Sequence, residues 1–355
     1  MTLHNRLYGS LIAGAIGDAL GAPVEGWHWR EIREKHGKMT ELLPFDAGYA
    51  KGRGHVTDDS YLRHLLAWTI VKKQGRITPD EWGETFLHEL NTDRLWTNEK
   101  LTHWKMRERM NPWWETGRGN VPSGCASMAI SPVGLINATD PRQAYQDAFC
   151  IASVNQDGNN RDFAATFAAG IAAAFLPDAH EDAVIEAMFA HSDYLTRRAL
   201  TLTMDLARKT GNPDLFVEAF YESKLADWSW PQANWTPEKH FSGNSIDFLS
   251  ATVGLLHLCA GEPVQTLIEG ASFGRDCDTI ASCCGCVQGI LYGAEAYPVE
   301  WRETVEAANT DIFTEMFQDP AKNFHWMAEQ LGTALRAKRD KDRTSLNQLD
   351  ASLAQ

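Results

Sequence analysis

Two short stretches of the chain concentrate oxygen donors. In the first, TDDS (residues 57–60), Asp58 and Asp59 stand between the hydroxyls of Thr57 and Ser60, and an apolar, helix-like run follows to Lys73. In the second, GRDCDT (residues 274–279), Asp276 and Asp278 flank one residue, Thr279 follows, and small residues then dominate through Cys286. Each stretch places two aspartates and a threonine where a helix begins. A helix start accepts Asp or Thr as a cap and favours acid in its first turn, so either stretch alone reads as ordinary capping. Together, four aspartates and two threonine hydroxyls form a hard-oxygen set that suits Mg²⁺, Mn²⁺ or Ca²⁺ rather than zinc. If the two helix starts meet, two cations would neutralise much of the four negative charges.

The elements that must position these groups are helical. Apolar residues at helical spacing predict helices over about residues 3–21, 58–73, 79–91, 99–110, 141–154, 161–175, 180–190, 192–210, 213–222, 245–259, 263–273, 278–296, 300–309 and 320–337. Residues 27–54 read as a loop with one short helix, and 111–131 and 227–244 as long irregular stretches rich in Gly, Pro, Ser and Trp. Gly285, Gly289 and Gly293 recur every four residues. A glycine inside a helix costs about 1 kcal/mol relative to alanine, a cost that close approach of another helix would offset. Asp276, Asp278 and Thr279 therefore open a tightly packed, central helix. The fold class expected is all-α, a compact orthogonal multi-helix bundle, with residues 1–337 as one domain and 338–355 as a polar tail prone to fraying.

Composition narrows the partners. The 355 residues carry 33 basic against 47 acidic side chains, a formal charge of −14, which argues against bulk binding to nucleic acid or an anionic membrane. Asp18 interrupts the apolar N-terminus, no signal-peptide flanks appear, and no uninterrupted apolar stretch reaches the roughly 18 residues of a membrane span. Seven cysteines, an odd number, suit a reducing compartment, and a cytoplasmic location is expected. Cys277, Cys283, Cys284 and Cys286 read as small core residues, and a Cys nucleophile would need a base such as His257. Trp113, Trp114, Trp228, Trp230 and Trp235 lie in the long loops, where an indole can stack on a base or sugar. Arg118 and Arg161 read as solvated charges.

The same motifs, with GSLIAGAIGDALGAPVEG at residues 9–26, resemble the ADP-ribosylglycohydrolase family over about residues 5–302. TDDS resembles the family's first metal motif, T-D-D-[ST], and GRDCDT its second, G-G-D-T-D-[TS]. The resemblance implies an all-α fold around a central cleft with two Mg²⁺ ions, Mn²⁺ being the alternative. It implies Thr57, Asp58, Asp59, Asp276, Asp278 and Thr279 as the metal ligands and Glu25, in PVEG, as a glutamate on a mobile loop beside them. It also implies cleavage at C1 of a ribose through an oxocarbenium-like state, with Glu25 or Asp58 handling the proton.

The chain departs from the family at the substrate side. Where the family has N-G-x-A-M-R before a proline, residues 124–132 read GCASMAISP, and where it has Thr-His, residues 154–162 read VNQDGNNRD. Gly124, Cys125, Asn155 and Arg275 are the substrate-contact positions carried over. Arg275, in place of a glycine, either pairs with a phosphate or offsets nearby carboxylates. The expected reaction is metal-dependent release of ADP-ribose from an ADP-ribosylated, arginine-type substrate. Hydrolysis of a smaller N-riboside or nucleoside is the alternative, and non-catalytic binding of an ADP-ribose-type ligand is the second. The expected partners are an ADP-ribosylated protein or a small ribosyl compound, with no nucleic acid, no membrane and the chain a monomer.

Overall fold

The computed structural model describes residues 1–46, 51–228, 244–319 and 321–353. Trp230 and Trp235 lie outside the described residues. The first third contains α1 (Leu3–Gly21), α2 (Trp29–His36), a hairpin of β1 (Pro44–Asp46) and β2 (Lys51–Arg53), α3 (Asp58–Lys73), α4 (Pro79–Glu89) and α5 (Thr97–Arg107). The middle contains α6 (Ser131–Ile136), α7 (Pro141–Ala152), α8 (Asn159–Ala173), α9 (Glu181–Ala190), α10 (Tyr194–Thr210), α11 (Pro213–Tyr221) and α12 (Lys224–Trp228). The last third contains α13 (Ser245–Leu258), α14 (Pro263–Ala271), α15 (Cys277–Tyr292), α16 (Val299–Ala308), α17 (Thr310–Phe317) and α18 (Phe324–Leu353). The expected all-α architecture is present.

Helix α1 and helix α15 form the centre. Fifteen consecutive residues of α1, Leu7 through Gly21, are buried, and so are fourteen of α15, Cys277 through Ile290. By length and composition Leu3–Val24 could cross a membrane, yet 89% of its apolar window is enclosed by the rest of the chain, which makes it a core helix here. The glycine stripe explains how the two helices meet. A Cβ on Gly289 would lie 2.1 Å from Gly9 O, one on Gly285 2.2 Å from Ala13 O, and one on Gly17 2.2 Å from Ala281 O. The partners run in opposite directions along the chain, so the helices are antiparallel with backbones touching. Gly293 differs from expectation: it caps α15 at φ +78 instead of facing α1 from within the helix.

Two buried charges tie α3 to this pair. Asp18 of α1 is fully buried and accepts from the N–H groups of Thr57 (2.9 Å) and Ser60 (3.1 Å), the first turn of α3. Arg63 of α3 is fully buried and donates to Ser282 Oγ of α15 (2.7 Å) and to Met128 O (3.0 Å). Ser282 in turn donates to Gly14 O of α1 at 2.9 Å.

Three differences from the sequence reading have physical causes. The β1–β2 hairpin, with Phe45 opposite Gly52, is only three residues per strand, too short to show period-two alternation. Helix α17 was not expected; Ile312 and Phe313 bury it. Helix α18 extends past residue 337 through the polar stretch to Leu353, with a Lys338–Asp342 ion pair at 2.9 Å and no Gly or Pro in that stretch.

Replacing Gly17 or Gly289 by alanine should destabilise the protein by about 2–4 kcal/mol, since the new methyl meets backbone that cannot step aside. Gly75→Ala, whose Cβ finds its nearest neighbour at 3.9 Å, should stay within about 0.5 kcal/mol. Urea midpoints of the three variants check this.

Candidate metal and catalytic site

Antiparallel packing of α1 on α15 brings the end of one helix to the start of the other. A Cβ on Gly21 would lie 2.4 Å from Asp278 Cα. The chain leaves α1 through a single turn, Ala22–Val24, and delivers Glu25 beside Asp276 and Asp278. Carboxylate oxygens of these three residues all lie within 4.8 Å of one another. Asp58 and Asp59 face them from the first turn of α3, which Asp18 and Arg63 hold in place. The two acidic stretches of the sequence therefore do meet.

Capping does not account for these aspartates. Thr57 caps α3, accepting from Asp59 N at 3.3 Å, and Asp18 takes two further first-turn N–H groups. Asp276 occupies the N-cap position of α15 but makes no side-chain cap; its Oδ1 accepts from the Thr279 hydroxyl at 3.0 Å. Asp59 Oδ2 and Asp278 Oδ1 are buried without a hydrogen-bond partner. Unpartnered buried carboxylate oxygen is costly unless a positive charge satisfies it.

The electrostatics agree. Burial, then the charges of Asp278 and Asp18, holds the Asp59 carboxyl well above the usual range. Burial, then Asp276 and Asp18, does the same for Asp278, and burial, then Glu99, Asp59 and Asp278, for Asp58. Burial, then Asp59, pushes Asp276 up to about 7. Burial, then Asp278 and Asp276, raises Glu25 too, although by surface area Glu25 is only half-buried and stays reachable. Carboxyls that repel one another and lack water are the expected property of a site that accepts cations. The acidic cluster fits one or more hard divalent ions, and the grouping places Glu25 among the donors beside Asp276 and Asp278.

Three buried residues of this site escaped the sequence reading as functional: Asp18, Arg63 and Glu99. Glu99, on α5, is 2% exposed, its Oε2 has no partner, and burial raises its carboxyl. It is the largest charge influence on Asp58. A charged residue inside an apolar run was the available signal for Asp18 and Arg63; Glu99 gave none.

The four substrate-contact positions are all enclosed. Gly124 leaves no room for a side chain, since a Cβ would meet the Phe248 ring at 2.4 Å. The Cys125 thiol takes a hydrogen bond from Gln156 Nε2 at 2.9 Å, and Asn155 O accepts from Asn120 at 3.1 Å. Arg275 is 6% exposed and bonded to Asp247, so of its two expected roles the structure shows pairing with a carboxylate. Burial pushes the thiols of Cys277, Cys283 and Cys284 up, as expected for neutral core cysteines, and His257 pairs with Asp182 at 2.9 Å.

Beside this region lies a cavity of about 980 Å³ lined by Asn120, Pro122, Asn160, Phe163, Arg198 and Trp228 among others. Lys224 also faces it, and the Arg198 guanidinium lies 4.9 Å over the Trp228 ring. Asn120 connects the cavity wall to Asn155 and so to the Gln156–Cys125 contact.

A sequence-family model of ADP-ribosylglycohydrolases matches residues 1–340. The chain is 23% identical over 329 residues to the uncharacterized protein YegU of Escherichia coli K12, covering 86% of this chain and 92% of that one. It is 24% identical over 307 residues to an uncharacterized protein of Archaeoglobus fulgidus, covering 85% and 92%. A solved structure titled "ADP-ribosylglycohydrolase-related protein complex" shares the fold, with a TM-score of 0.61 at 16% identity over 95% of this chain and 98% of that one. With its acidic cluster at the junction of α1, α3 and α15, the chain belongs to the ADP-ribosylglycohydrolase family.

Proposed function

We propose that the chain is a glycosyl hydrolase that depends on two Mg²⁺ ions, or Mn²⁺ in their place, and releases ADP-ribose from an ADP-ribosylated, arginine-type side chain. The observation that carries the metal part is the pair of orphaned oxygens, Asp59 Oδ2 and Asp278 Oδ1, beside a carboxyl cluster whose capping duties are already met. Thr57, Asp58, Asp59, Asp276, Asp278 and Thr279 would hold the ions, with Glu25 at their edge. Bound there, the ions would hold the ribose hydroxyls and would orient or acidify a water.

The chain's own residues do the rest. Water attacks ribose C1 as the C1–N bond breaks, a carboxylate takes the water's proton, and that proton is passed on to the leaving nitrogen, leaving the carboxylate as it began. Glu25 is the proposed base because it is reachable and sits on a loop, whereas Asp58 is 7% exposed and lies against Glu99. Asp18 and Arg63 hold the first turn of α3 at a fixed distance from α15. The cavity lined by Asn120 favours ADP-ribose over a smaller ligand: it has room for a nucleotide, and Arg198, Lys224 and the Trp228 indole line it together with Asp157. The enclosed Gly124 and the Asp247-paired Arg275 favour the second reading, a nucleoside or other N-riboside, because one has no side chain and the other is committed to a carboxylate. Seven unpaired cysteines support a cytoplasmic setting.

Raised carboxyls give a pH dependence of definite sign. Stability from a carboxyl whose value rises on folding is complete below the unfolded value and is lost as pH climbs through the folded one, about 7 for Asp276. Without metal, the melting temperature should fall between about pH 5 and pH 8. Mg²⁺ or Mn²⁺ at about 100 times Kd should add about 2.7 kcal/mol, and a fixed ion concentration should add more as pH rises and Kd falls. Asp278→Ala should abolish the metal effect in the same thermal scans.

The reaction is tested by mass spectrometry of released sugar. An arginine-ADP-ribosylated peptide should yield free ADP-ribose with Mg²⁺ and none with chelator. Ribose from a nucleoside panel alone would replace the first reading by the second. Asp58→Ala and Asp278→Ala should eliminate turnover and keep the helical circular dichroism. Glu25→Gln should weaken metal binding by about tenfold, without abolishing it, and lose about 10²–10⁴-fold in kcat. Full activity in either aspartate variant contradicts the mechanism.

A further inference from the structure

The loop bearing Glu25 is fastened to the chain before Asp276 by two backbone hydrogen bonds. Gly26 N–H donates to Arg275 O at 2.7 Å, and Arg275 N–H donates to Trp27 O at 2.9 Å. This bridge requires an unusual backbone. Gly274 has φ +75, and a Cβ there would meet Trp27 O at 2.6 Å and Trp29 N at 2.7 Å. Arg275 has φ +60, a left-handed conformation that a residue with a side chain adopts only when its surroundings enforce it.

The Arg275 side chain is held as well. Arg275 Nε donates to Asp247 Oδ2 at 2.5 Å, with the two side chains 7% and 0% exposed. The guanidinium lies 5.4 Å from the Tyr221 ring, and Tyr221 donates to Phe273 O at 3.1 Å. Asp247 belongs to the first turn of α13, a different helix from both metal-facing stretches. An ion pair this deeply buried is weak as a source of net stability, but it fixes geometry.

We infer that Arg275 is a positioning residue: its pairing with Asp247 holds position 275 in the left-handed conformation from which the backbone bridge keeps Glu25 against Asp276 and Asp278. The side chain touches neither cation nor substrate; it acts through the bridge. This inference rests on the divalent-cation reading of the site. It also explains how arginine is tolerated at a position where glycine would reach the same φ without help.

The experiment measures Mn²⁺ affinity by calorimetry and kcat and KM on the substrate that the wild type turns over. Both Arg275 variants carry Asp247→Asn, so that no aspartate charge is left buried without its arginine. Adding Arg275→Ala should weaken Mn²⁺ binding by about tenfold and lower kcat with little change in KM, as for other residues that orient ligands from behind. Adding Arg275→Gly instead should restore most of both, because glycine takes φ +60 unaided. Equal affinity and kcat for the alanine variant and the wild type would overturn the inference, as would a glycine variant no better than alanine. Should the alanine variant not fold, the comparison of glycine with Asp247→Asn alone decides: Mn²⁺ affinity and kcat at least as high with glycine support it, and lower values overturn it. A wild-type protein that binds no Mn²⁺ would instead remove the cation reading itself.

Discussion

The contact of α1 with α15, backbone against backbone, sets the position of everything else. It is possible only because Gly9, Gly17 and Gly21 on one helix face Gly289, Ala281 and Asp278 on the other. Helices usually stand 8–10 Å apart, separated by side chains; removing those side chains brings the helix ends into direct register. The consequence is chemical. The exit of α1, with Glu25 a turn beyond it, and the entry of α15, with Asp276 and Asp278, become one acidic surface.

Once that surface exists, the rest of the core is arranged to tolerate it. Asp18 and Arg63 carry opposite charge through the buried junction and satisfy the first turn of α3 and the carbonyl of Met128. Their positions leave Asp58 and Asp59 without a structural task. A fold that concentrates this many carboxyls and burdens none of them with capping stores repulsion that a cation releases. Family membership supports a glycosyl hydrolase, and the acidic cluster is where the proposed chemistry would be done.

Much of this was legible from residue order. Helix α3 begins and ends where its cap and its periodicity say, because Thr57 is a true N-cap and the apolar run is unbroken to Lys73. The glycine spacing in α15 announced the close helix, although not its partner. What could not be read was charge placed for tertiary reasons. Asp18 looked like an interruption of an apolar run, and Glu99 like any surface glutamate. Arg275 reads as a partner of a phosphate or of nearby carboxylates, and nothing local reveals that the carboxylate is Asp247, on another helix. Of the substrate-contact positions, Gly124 faces the Phe248 ring, which occupies the space a side chain would need, and the Asn155 backbone carbonyl is taken by Asn120.

The most direct measurement is calorimetric titration of the metal-free protein with Mn²⁺ in two buffers of different ionisation enthalpy. Deprotonation of carboxyls held up by burial and by one another must accompany cation binding. The account predicts two Mn²⁺ bound per chain with protons released to the buffer, the number released falling as pH rises. Binding without proton release, or no saturable binding, would contradict it.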